Sequence, residues 1–227
     1  MLRQTLPPLL VPTVAALVLV LGWDASGLDL PAAQWASHAG GFPLRDNWLW
    51  SKVLHEGART AVWLMVLWPV SALWRPTGVL RRLPRARIGW LLATALTGML
   101  LISVLKHHSL TSCPWDLREF GGKARLVSHW AWGLSDGGSG QCFPGGHASA
   151  GFAWLAGYFA FREHQPRVAR AWLAGALVAG AAMGVAQQLR GAHFASHTLW
   201  TAWLCWTWAW LCSFVLPALH RDETAAR

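Results

Sequence analysis

Gln187-Gln188-Leu189-Arg190-Gly191-Ala192-His193-Phe194-Ala195-Ser196-His197 sets an arginine and two histidines between two long apolar runs. On a helix, His193 and His197 would share one face, because residues four apart lie one turn above each other. Ionisable groups at the mouth of a membrane segment are costly, and by default they mark function. The reading of this stretch therefore depends on what the flanking runs are. Both are long and nearly free of charge, and four more apolar runs precede them. Together they cover residues 8–23, 60–74, 88–105, 148–161, 171–189 and 197–219. A membrane-spanning helix needs about 20 apolar residues. The first, second and fourth runs are short for that and must borrow flanking residues. The expected fold class is all-α, a polytopic bundle of six transmembrane helices with an external loop segment. Four spans is the fallback if the short runs are buried or re-entrant. The whole chain, 1–227, reads as one membrane-embedded domain.

Composition agrees. The chain is 54% hydrophobic and 13% charged, which leaves little polar surface to cover a soluble core of this size. It has 18 tryptophans against one tyrosine, and tryptophan is favoured at the bilayer interface. The net charge of +9 is concentrated in short loops. Arg75, Arg81, Arg82, Arg85 and Arg87 lie between runs two and three. Arg162, Arg167 and Arg170 lie between runs four and five, and Arg3, Arg221 and Arg227 lie at the termini. With six spans all of these fall on one side, the cytoplasmic side by the positive-inside rule. The basic excess is then a topology signal and a contact for anionic lipid, not a nucleic-acid surface. A cleaved signal peptide is the alternative for run one, although Asp24-Ala25-Ser26-Gly27 makes a poor cleavage site.

This topology leaves three polar islands on the external side: Lys106 to Asp116, Gln141 to His147, and Arg190 to His197. They sit at the external ends of spans three to six, so a compact bundle brings them together. Residues 24–58 and 106–146 form the two long external segments. The second carries glycine-rich turns, and its Trp, Phe and Leu content argues for an ordered loop. His38 and His55 read as loop-surface residues.

Pro144-Gly145-Gly146-His147 opens a helix. The first N–H groups of a helix lack internal partners, and the dipole adds positive charge, so Gly145 and Gly146 can cradle a phosphate. Lys106 and Arg190 supply fixed positive charge for phosphoryl oxygens. Neutral His193 can attack phosphorus directly, His197 can hold its other nitrogen, and His147 can protonate the leaving oxygen. A second reading is a metal site, with His193 and His197 at helical zinc spacing and His147, His107 or His108 completing the set.

At these residues the chain resembles the type-2 phosphatidic acid phosphatase superfamily, integral membrane phosphatases related to vanadium haloperoxidases. Three blocks carry the resemblance, over about residues 88–210. Lys106 is followed by Cys113-Pro114, where the family has Arg-Pro. Pro144-Gly145-Gly146-His147 stands for Pro-Ser-Gly-His. His193 matches the third-block histidine, with His197 in the place of an aspartate. The resemblance implies His193 as the nucleophile of a phosphohistidine, His147 as the acid and Lys106 as a phosphate ligand, with no cofactor. Its substrates would be lipid phosphates or pyrophosphates, handled at the periplasmic face of a bacterial inner membrane.

The departures are specific. Cys113 and Gly145 replace an arginine and a serine, and Ala186-Gln187 stand where Ser-Arg belongs. Arg190 is expected to take over from the arginine missing at 187, and Arg118 or Arg125 from the one missing at 113. Cys113 and Cys142 each lie beside a motif in an external loop, and an oxidising periplasm would allow a Cys113–Cys142 disulfide tying the first block to the second. An inactive lipid-binding or assembly module on the same fold is the non-enzyme alternative.

Overall fold

The computed structural model describes residues 9–38, 40–50 and 54–216. The terminal arginines, Arg3, Arg221 and Arg227, lie outside them, as do the start of run one, with any signal-peptide n-region, and the end of run six. The His55 side chain also falls outside the description.

Eight α-helices follow one another, joined in places by short 3₁₀ turns, and no named strand occurs among the described residues. They are α1 (Leu10–Ser26), α2 (Asp29–Ala36), α3 (Leu54–Ala72), α4 (Arg85–His108), α5 (Gly146–Phe152), α6 (Ala156–Phe161), α7 (Pro166–Leu189) and α8 (Ala195–Cys212). Their ends follow local chemistry. Gly27 stops α1 in the left-handed region. Pro166 starts α7, where its missing N–H costs nothing. The run at 148–161 is one helical path interrupted by a 3₁₀ turn at Ala153–Leu155.

Two helices, α4 and α7, are each 24 residues long and apolar enough to cross a membrane. A third span results if α1 and α2, which bend by 72° at their junction, count together. The other three expected spans fall short of that standard for visible reasons. Only Val62–Ala72 of α3 is continuously apolar. Residues 146–161 are broken by the 3₁₀ turn. Five of the 18 residues of α8 are tryptophans, whose indole N–H lowers their apolar character. An apolar exterior extends over the helices nonetheless. Val14, Val18, Leu64, Leu67, Leu100, Val104, Val178 and Leu211 are all exposed.

Packing centres on α5, which touches α4, α7 and α8. The approach of α5 to α7 is close because both carry glycine at the crossing: a Cβ on Gly151 would strike the backbone of Gly180. The tryptophans of α8 act as ties as well as bulk. Trp203 Nε1 donates to Thr13 O at 3.1 Å and Trp206 Nε1 to Thr13 Oγ1 at 2.9 Å, so α8 is fastened along α1. Trp208 Nε1 donates to Thr97 Oγ1 at 3.0 Å, fastening α8 to α4. The tryptophan bias, expected to belong to the bilayer interface, is thus partly used inside the bundle, where the N–H groups of Trp203, Trp206 and Trp208 have found acceptors.

The two basic loops meet at one end. Arg82 Nη1 donates to Gln165 Oε1 and Gln165 Nε2 to Arg82 O, each at 3.3 Å. Beside them the buried Arg87 donates to Glu163 Oε2 at 2.5 Å and to Ala160 O at 3.1 Å. The C-terminus of α4, the N-termini of α5 and α8, and the C-terminus of α7 gather at the other end. A second, smaller apolar core lies there, formed by Ala33, Phe42, Leu117, Phe120, Ala124 and Phe194. It packs the loops at this end onto the helix ends, among them the segment 109–145, which holds only short 3₁₀ turns.

Candidate active site

His193 lies in the turn between α7 and α8, not on a helix with His197 as the spacing suggested. Arg190 caps α7, and Gly191, with φ of 74°, turns the chain in a region that other residues rarely adopt. Phe194 is then the N-cap of α8, so His197 sits in the first turn of α8 and His193 just before it. The two rings still meet: His193 Nδ1 is 3.3 Å from His197 Nδ1, and both residues are buried. This contact engages Nδ1 of His193, and the Cys142 backbone also hydrogen-bonds both rings. His147 approaches His193 from α5, with ring centroids 6.4 Å apart.

The backbone around the pair is tightly held. Gly145 N donates to His197 O at 3.1 Å, and Thr201 Oγ1 bonds both His197 O and Gly145 O. The Pro-Gly-Gly-His turn is therefore fastened to the turn of α8 that carries His197. Lys106 Nζ donates to Gln141 O, and its aliphatic stem runs over Gly146. A Cβ at Gly146 would lie 3.2 Å from Lys106 Cδ, so glycine there makes room for the lysine.

Burial dominates the electrostatics. It pushes His193 down to about 3, helped by the positive charges of Lys106 and His147. At neutral pH His193 is therefore an uncharged imidazole with a free lone pair, the form a nucleophile needs. Lys106 and His147 are the groups whose charge opposes protonation of the ring, after burial.

Arg190 is not among them. Its Nε and Nη2 donate to Arg45 O at 3.2 and 3.0 Å, and Nη1 to Gln187 Oε1 at 3.2 Å. The expected clamp on phosphate is, in this structure, a clamp on the loop after α2. Arg118 is exposed and donates to Lys123 O at 3.2 Å, and Arg125 is exposed too. The structure does not bring either arginine to His193. Both belong to a loop folded on its own backbone, with Arg118 N on Ala124 O and Arg125 N on Asp136 O.

Cys113 and Cys142 form a disulfide, with Cα atoms 5.2 Å apart. Cys142 Sγ lies 3.9 Å from His193 Nδ1 and 2.9 Å from Ala192 O, so the bridge forms one wall of the histidine pocket. Cys205 and Cys212 are free. For the metal reading, the donors do not converge. Among the described residues no three His, Cys, Asp or Glu side chains are placed to hold an ion. His107 and His108 are exposed and pack on each other at 5.3 Å.

Three further residues reach the site that its motifs did not announce. Asp29 of α2 accepts from Ser196 N at 2.9 Å and from the Ser196 hydroxyl, capping α8 from another helix. Asp24 of α1 accepts from His129 Nε2 at 3.2 Å. His129 stacks on Phe143 at 4.1 Å and meets His197 edge-on at 6.1 Å. The only signal in the sequence was two acids just after an apolar run and one histidine in a charged loop.

A family model described as the PAP2 superfamily matches residues 87–221, more than half of the chain. The chain belongs to the PAP2 superfamily. No curated protein and no solved structure gives a significant match. PAP2 proteins are generally phosphatases, so this is a phosphatase-type fold, and its apolar helices make it a membrane protein. The PAP2 match takes in Lys106, His147, His193 and His197, and leaves Asp24 and Asp29 outside it.

Proposed function

We propose that this PAP2 protein removes phosphate from a lipid phosphate or lipid pyrophosphate through a phosphohistidine on His193. The observation that carries this reading is the His193 ring itself. It is buried and neutral, engaged at Nδ1 by His197, with Lys106 and His147 close enough for their charge to act on it. The Nε2 lone pair forms the N–P bond while the bond from phosphorus to the leaving oxygen breaks, and His147 gives that oxygen its proton. Water then attacks phosphorus, the N–P bond breaks, and the proton from water returns to His147. Lys106 offsets charge on the phosphoryl oxygens, helped by the first N–H groups of the Gly145-Gly146 turn.

The reading includes six crossings: α1, α3, α4, the path at 146–161, α7, and α8 with the turn that follows it. The end where the basic loops meet would face the cytoplasm, and the histidines would face the periplasm of a bacterial inner membrane. An apolar exterior suits a lipid substrate that arrives sideways. The test is phosphate release from a panel of lipid A, undecaprenyl pyrophosphate, phosphatidylglycerol phosphate and phosphatidic acid, with His193→Ala as control. Release by the wild type alone supports the reading. Equal release by both proteins contradicts it. One observation favours the rival, a lipid-binding module without turnover: Arg190 and Arg118 are engaged elsewhere. That rival predicts binding of the same lipids with no release.

A further inference from the structure

His197 stands where the family motif has an aspartate, so it brings His193 a ring nitrogen but no negative charge. A carboxylate reaches the same pocket by another route. Asp24 lies in the last turn of α1, where the helix dipole disfavours an anion. Three donors hold it there: Trp200 Nε1 at 2.8 Å, Trp130 Nε1 at 2.9 Å and His129 Nε2 at 3.2 Å. His129 is fixed between this carboxylate and the Phe143 ring, 4.1 Å away and nearly parallel. It meets His197 in a T-shaped contact, with centroids 6.1 Å apart and planes at 86°. His197 in turn meets His193 at 3.3 Å. Asp24, His129 and His197 also border one open cavity of about 620 Å³.

We infer that Asp24, acting through His129, is the positioning group for the His197–His193 pair and supplies the carboxylate that position 197 lacks. The inference rests on the phosphohistidine reading above. A carboxylate only accepts hydrogen bonds, so neutral His129 carries its proton on Nε2 and keeps a lone pair on Nδ1. The fixed negative charge behind this ring favours a proton on the nitrogen of His197 that faces away from His193. His197 Nδ1 then accepts from Nδ1–H of His193, and His193 Nε2 keeps its lone pair for phosphorus. No proton leaves this chain of groups during the reaction. As the N–P bond forms, the positive charge on the His193 ring is offset by the charge of Asp24. The N-terminal hairpin, outside the matched residues 87–221, thereby becomes part of the active site.

The test uses the purified full-length protein and a lipid phosphate on which the wild type turns over and His193→Ala does not. Asp24→Asn keeps the shape and an acceptor for the tryptophans but removes the charge. His129→Gln removes the ring and leaves the Trp130 and Trp200 bonds to Asp24. Each is expected to lower kcat by about 10- to 100-fold, the usual weight of an outer partner of a functional histidine. KM should stay within about twofold, because the charge acts on the reacting ring and not on substrate binding. The double variant should be no slower than the worse single variant, and Asp24→Glu should recover part of the rate. Full kcat in a folded Asp24→Asn or His129→Gln protein overturns the inference. So does a loss confined to KM, or two losses that multiply. If Asp24→Asn fails to fold, His129→Gln decides alone. Equal release by wild type and His193→Ala would instead bring down the phosphohistidine reading, and this inference with it.

Discussion

Replacing Cys113 and Cys142 together by serine removes a bridge whose worth can be worked out from the chain. The two cysteines are 29 residues apart. Closing a loop of that size removes unfolded-state entropy worth about 3.6 kcal/mol at 25 °C in the chain-entropy account. For a protein of this length that is a fall of about 7 to 14 °C in melting temperature, with the figure as a ceiling where the unfolded state keeps structure. The local effect is separate. Cys142 packs against Ala192 and His193 and directly precedes the Phe-Pro-Gly-Gly-His turn. Its backbone stays attached without the bridge, because Cys142 N donates to Thr111 O at 2.9 Å. The site should therefore loosen but not open. A displacement of about 1 Å can cost up to 10²-fold in rate, and about tenfold is expected for this partial loosening. The assay pairs thermal melting with phosphate release, on protein made in an oxidising compartment, with and without reductant, beside the double serine variant. A variant that melts within about 2 °C of the wild type and turns over at the same rate would refute the reasoning.

Three further predictions follow from the same contacts. Glu163→Gln removes the charged partner of buried Arg87 and leaves it the Ala160 carbonyl. Because Glu163 is 40% exposed, the loss in denaturant titration should be roughly 1–3 kcal/mol, below that of a fully enclosed pair. The Arg87 hydrogen bond holds the Glu163 carboxyl below its usual range. Its stabilisation is full above the unfolded carboxylate pKa and disappears as pH falls through the folded value, so the variant should flatten the acid limb of stability. His193 is depressed to about 3 by burial first. Its contribution to stability is full above pH ~6.5 and is lost as pH falls towards ~3, so His193→Gln should shrink the melting-temperature loss across that window. Gly146→Ala places a methyl 3.2 Å from Lys106 Cδ and displaces the lysine stem. Phosphate release should fall by about tenfold with stability nearly unchanged, as enzyme assay beside melting would show.

The helices were legible where apolar residues run without interruption. Runs 88–105 and 171–189 became α4 and α7 with ends shifted by a few residues, because Pro84 and Pro166 punctuate them. The number of spans was less legible, since a tryptophan-rich helix such as α8 looks apolar by composition yet spends its indole N–H groups on α1 and α4. His193, His197, His147 and Lys106 could be found because ionisable groups stand out in apolar surroundings. The exact setting of His193 could not, because helical spacing says nothing about a turn that ends at Phe194. Arg190 was expected on phosphate, and its bond to Arg45 O depends on how residues 40–50 fold back, which no periodicity encodes. Asp24, Asp29 and His129 were out of reach for the same reason. Their partners lie 105 to 176 residues away in the chain, and each acid alone looks like an ordinary loop or helix-end residue.

The most direct measurement is rapid acid-free quenching of the purified protein during turnover of a lipid phosphate, followed by peptide mass spectrometry. The account predicts one acid-labile, base-stable phosphoryl group on the peptide that contains His193, absent from His193→Ala. Turnover with the phosphoryl group on another residue, or with none on the protein, would contradict it.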